Sequence, residues 1–87
     1  MTTGRRVPDE TEPHLYEPGD YGRWADRWWG RPPECVRPGP FALYCNLEGH
    51  DVVEHEDGTI TVSPSILIKA HDAEWHGYLE RGVWRIC

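Results

Sequence analysis

Three cysteines (Cys35, Cys45, Cys87) and five histidines (His14, His50, His55, His71, His76) are the side chains of types that hold transition metals or pair as nucleophile and base. Their spacing contains neither Cys-x-x-Cys nor His-x-x-x-His, the compact arrangements by which one turn or one helix face delivers two ligands. A zinc site would have to be assembled from separate elements, and its candidate ligands are His76, Cys87, His71 and His50. Isolated surface histidines and small packed cysteines are the simpler account of the same residues. For nucleophilic chemistry, Cys87 with His76 and Ser65 with His71 are candidates that can be named only by proximity in sequence. A working site also needs the histidine oriented by a third group, so no catalytic residue is assigned. Glu54, Glu56 and Asp57 surround His55 in what reads as a hairpin turn open to water. Nothing there would drive their pKa values apart, and they suit a solvated edge that discourages strand-to-strand association.

Binding has stronger candidates. Trp24, Trp28 and Trp29 fall within six residues together with Arg27, and tryptophan and arginine are the residues that most often carry the energy of a protein interface. The spacing predicts a helix over 20–30. Asp20 serves as cap, Tyr21, Trp24, Ala25 and Trp28 recur at helical intervals, and Gly30 with Pro32 stops it. Trp24 and Trp28 then form one stripe, which either lids a sheet or stays exposed for a partner.

The sheet is read from residues 41–87. Phe41, Leu43, Cys45 and Leu47 alternate with Ala42, Tyr44 and Asn46 as a first strand, following a Pro-rich connector over 31–40. Asp57-Gly58 between β-favouring runs signals a hairpin. A two-residue loop there pairs His55 with Ile60 and Val53 with Val62, so that Val53, Ile60 and Val62 share the apolar face. Pro64, which lacks a ladder donor, predicts a stop or bulge before Ile66-Leu67-Ile68. A second hairpin turns at Arg81-Gly82, with Leu79 opposite Trp84 and Gly77 opposite Ile86. That pairing sets Trp75, Leu79, Trp84 and Ile86 on one side and His76 opposite Cys87.

The chain has 87 residues and a formal net charge of −6. That length allows one small domain whose stability depends on each large apolar side chain. The acidic balance disfavours nucleic acid, which needs a basic patch. No apolar run reaches the roughly 20 residues of a membrane span, so the expectation is a soluble cytoplasmic protein, with reduced cysteines and no membrane partner. Residues 1–19, rich in breakers and poor in apolar anchors, read as an irregular or disordered arm ahead of a single domain over 20–87.

Val62-Ser63-Pro64-Ser65-Ile66-Leu67, followed by Trp75-His76-Gly77-Tyr78-Leu79-Glu80-Arg81-Gly82-Val83-Trp84, resembles a family of small uncharacterised phage and prophage proteins. These carry a Ser-Pro-Ser-Ile core, then Cys-His or Trp-His before an aromatic, and a hairpin turn ending in Gly. In the Cys-His members the cysteine corresponds to Trp75, which removes one metal ligand and keeps His76. Some members are labelled ammonia monooxygenases, but this chain supplies neither the copper ligands nor the membrane spans of such an enzyme. The resemblance implies a phage or prophage origin, with the bacterial host cytoplasm as the compartment, and no particular activity.

The expectation is therefore an α+β, mainly β domain, an antiparallel sheet of hairpins lidded by the Trp-rich helix. Its expected role is non-enzymatic, binding a host or phage protein through Trp24, Trp28, Trp29 and Arg27 without a cofactor. The alternatives are a small zinc protein and a homo-oligomer.

Overall fold

The computed structural model describes residues 2–33, 45–70 and 73–86. Along these the chain forms β1 (Thr2–Thr3), β2 (Arg5–Arg6), a 3-10 turn (Pro13–Leu15), β3 (Asp20–Trp24), β4 (Arg27–Gly30), β5 (Cys45–Asn46), β6 (Asp51–Glu54), β7 (Ile60–Ala70), β8 (Ala73–Glu80) and β9 (Val83–Ile86). The strands make two sheets, in the spatial orders β1-β9-β8-β7-β6 and β2-β3-β4-β5. Every pairing is antiparallel except β2 with β3. The mainly β expectation holds, and no α-helix occurs among the described residues.

The helix expected over 20–30 is instead the β3–β4 hairpin, with Trp24 opposite Arg27 and Gly22 opposite Trp29. Ala25 and Asp26 form its two-residue turn, both at positive φ (51° and 62°), the backbone of a type I′ hairpin. Helical spacing was present, but Gly22 weakens a helix, and Tyr21, Trp24, Trp28 and Trp29 favour a pleated surface they can pack on. Asp20 caps no helix. It is buried, takes two hydrogen bonds from the Arg5 guanidinium (3.2 and 3.0 Å) and accepts the Glu17 amide at 2.8 Å.

The hairpin at Asp57-Gly58 forms with a register one residue away from the expected one. The His55 amide donates to Thr59 O (2.8 Å) and the Gly58 amide to His55 O (3.0 Å), with Gly58 at φ +87°, so the loop has three residues and ends on a left-handed glycine. Val52 therefore faces Val62, and Val53 turns outward, 56% exposed. A slip of one residue exchanges the faces of a whole strand. The second hairpin matches the reading, with Leu79 opposite Trp84 and Gly77 opposite Ile86. Ile86 nevertheless remains exposed. β7 bulges around Pro64, where the step from Val62 to Ile66 matches the shorter step from Leu79 to Gly77 on β8.

Residues 2–19, read as an irregular arm, hold the two sheets together. β1 lies beside β9 and β2 beside β3, so the chain passes from one sheet to the other at Gly4. Its amide donates to Gly82 O (2.7 Å), and a Cβ there would stand 2.7 Å from both Gly19 O and Trp84 Nε1. Val7 and Tyr16 are buried against Gly22 on the outer face of the smaller sheet. Between the sheets pack Tyr21, Leu47, Ile60, Val62, Ile66, Trp75, Leu79 and Trp84. Trp75 meets Trp84 edge to face at 5.5 Å, and the Trp84 indole donates to Gly19 O at 2.9 Å.

Candidate functional site

The β3–β4 hairpin distributes the four expected partner-binding residues over two faces. Tyr21, Trp28 and Gly30 point to the core side, whereas Trp24, Arg27 and Trp29 share the opposite side, since residues directly across an antiparallel ladder lie on the same face. Trp28 packs against the core cluster, with the Arg6 guanidinium 4.8 Å and that of Arg23 5.8 Å from its ring centroid. Trp24 and Trp29 meet edge to face at 5.9 Å, each half-buried, and the Trp29 indole N–H donates to Trp24 O at 3.2 Å. This leaves a fixed aromatic pair partly open to water, next to Arg27, which reaches Glu48 at 3.1 Å.

Beside that hairpin lies a cleft of about 380 Å3 between β4 and β6, with Trp28, Leu47 and Val52 as apolar walls and Asp26, Arg27 and Glu48 at its mouth. The turn from β5 to β6 builds its far side. Asn46 Oδ1 accepts the Glu48 amide (2.7 Å), the His50 amide donates to Leu47 O (3.1 Å), and Gly49 at φ +89° supplies the left-handed residue that the turn needs.

Of the candidate metal ligands, His71 and Cys87 lie outside the described residues, as do Cys35, the 41–44 part of the first strand and most of the 31–40 connector. His50 and His76 converge on one serine. His50 Nε2 is 3.3 Å from Ser65 O, and His76 Nε2 is 2.9 Å from Ser65 Oγ. His50 Nε2 therefore donates, leaving a buried Nδ1 with no partner among the described residues. Among the described residues no group of three or more His, Cys, Asp or Glu side chains comes together as a cation would need. Among the described residues the histidine next to Ser65 is His76; its other candidate partner, His71, lies outside them. The β7–β8 ladder sets Leu67 opposite His76 and so brings the latter diagonally next to Ser65. His76 is exposed, and among the described residues no carboxylate bonds its second nitrogen. Among the described residues no third group orients the pair as a serine nucleophile requires.

The acidic turn is accounted for locally. Asp57 accepts the Thr59 hydroxyl (2.6 Å) and amide (3.0 Å), and these bonds, the hydroxyl first, hold its carboxyl below the usual range. His55 Nε2 lies 2.7 Å from Thr61 Oγ1, which also accepts the Arg81 amide.

Sequence reasoning passed over Arg6. Its guanidinium donates to Glu54 Oε2 (2.9 Å), Gly58 O (2.8 Å) and Asp9 Oδ1 (2.8 Å) while lying over Trp28, so one side chain ties β2, β4 and the β6–β7 hairpin together. An arginine amid breakers carries no local signal of this; only the parallel pairing of β2 with β3 brings it there. Comparison of the chain with protein families, curated proteins and solved structures finds no match.

Proposed function

We propose that this chain is a non-enzymatic protein-binding module of phage or prophage origin, engaging a host or phage protein through the β3–β4 hairpin. The observation that carries it is the Trp24–Trp29 pair, half-exposed and mutually braced, beside Arg27. Aromatic side chains held rigid before binding lose little freedom when a partner covers them, so their burial is available as affinity. The origin rests on the likeness of residues 62–84 to the phage family. Trp28 belongs to the folded framework and is the wrong residue to test. Crosslinking in infected host cells with the wild type and with Trp24→Ala/Trp29→Ala is the direct experiment. A specific partner retained by the wild type and reduced at least about tenfold by the double variant, as expected for interface anchors, supports the reading. Equal crosslinking by both counts against it.

The zinc reading draws on a separate observation, the meeting of His50 and His76 at Ser65. Metal analysis of the purified protein and of His50→Ala/His76→Ala separates the two readings, because stoichiometric zinc lost in the variant would belong to those ligands.

A further inference from the structure

Resting on the protein-binding reading, we propose that the cleft between β4 and β6 takes an extended partner segment in which apolar side chains alternate with lysine or arginine, added as a strand to the free edge of β6. Among the described residues β6 is the last strand of its sheet and pairs with β7 alone. The His55 amide bonds Thr59 O, so by the alternation of an antiparallel ladder Val53 turns its N–H and C=O toward β7, whereas Val52 and Glu54 turn theirs to the open side. That is the template an added strand requires, and its alternate side chains would enter the cleft against Trp28, Leu47 and Val52.

Charge decides what kind of strand fits. Glu48 and Glu54 are matched by Arg27 and Arg6, whereas among the described residues Asp26 and Asp51 have no cation within 4.0 Å. Both are exposed, Asp26 at the cleft mouth and Asp51 at the start of β6, in a chain of net charge −6. A second copy would set Asp51 and Glu54 against their own equivalents, and charge on a short edge strand is a common device against such self-pairing. A basic segment turns the same carboxylates into contacts.

Selection of displayed random nine-residue peptides on the whole protein, followed by amide chemical-shift mapping, tests this. The expected result is enrichment of sequences alternating apolar residues with Lys or Arg, with shifts at Val52, Glu54 and the Trp28 indole. Binding should weaken at least tenfold in Asp26→Lys/Asp51→Lys, whose unliganded spectrum matches the wild type elsewhere. Enrichment of acidic or uncharged sequences overturns the proposal. So do shifts confined to Trp24 and Trp29, an outcome that leaves the protein-binding reading standing. Self-association of the unliganded protein through the same amides assigns the edge to a second copy and also overturns it.

Discussion

Replacing Arg6 with alanine isolates the contact that joins the two sheets at the β6–β7 hairpin. The side chain is 22% exposed, and its carboxylate partners Asp9 and Glu54 are 60% and 47% exposed. Two such solvent-reached ion pairs contribute about 0.5 kcal/mol each. The bond to Gly58 O, given by a charged donor to a carbonyl, adds about 1.5 kcal/mol. The guanidinium over the Trp28 ring adds about 1 kcal/mol. The expected loss is thus about 3.5 kcal/mol, a large share of the roughly 5 to 15 kcal/mol that a domain has. Urea unfolding followed by tryptophan fluorescence measures it, and the midpoint of thermal unfolding should fall by roughly 14 to 28 °C. Arg6→Lys keeps the charge but not the planar fork, and should lose about half as much. A loss below about 1 kcal/mol in Arg6→Ala would refute the reasoning, since it would mean that water replaces all of these contacts at no cost.

Two further outcomes follow from packing and burial. Gly4→Ala forces a methyl group to within 2.7 Å of Gly19 O and Trp84 Nε1, so the crossing strand must shift and the Trp84–Gly19 bond be disturbed. The expected cost is above about 2 kcal/mol in the same unfolding assay, with weakened protection of the β9 amides from hydrogen exchange. Burial first, and then the nearby Asp20 charge, push the Tyr16 phenol from 10.0 up to about 12. The folded protein holds this proton more tightly than the unfolded chain, so the associated stability is complete below about pH 10 and is lost as pH rises toward about 12. Burial raises the Tyr21 phenol as well, so absorbance titration at 295 nm should show these two tyrosinates appearing late, and an early rise of all tyrosines together would contradict the burial.

What was legible in the sequence was the part governed by neighbours along the chain. Arg81-Gly82 dictates a two-residue turn, and the register of Leu79 with Trp84 follows from it. Pro64 marks the bulge for want of an N–H. The Asp57-Gly58 signal located its hairpin but not its loop length, because the same glycine serves a two-residue turn and the left-handed end of a three-residue one, and that single residue decided whether Val52 or Val53 faced the core. Over 20–30 the i, i+4 tryptophans satisfied a helical stripe and a hairpin equally, and the choice was made by the strands that β3 and β4 meet in space. Residue type alone marked the aromatic candidates, but their division between Trp28 inside and Trp24 with Trp29 outside depended on that choice. The placements of Gly4, Arg6 and the Ser65–His76 pair arise from long-range pairing, for which no local pattern exists.

The pairing of Thr2 with Trp84 sets the order of events during synthesis. β1 must wait for this partner until β9 has emerged from the ribosome, while the β7–β8–β9 meander can close on itself as soon as its own turns are made. Closure of so large a loop is slow compared with the formation of local hairpins. The nascent protein should therefore pass through a stage in which the local hairpins are formed and β1 has yet to join β9.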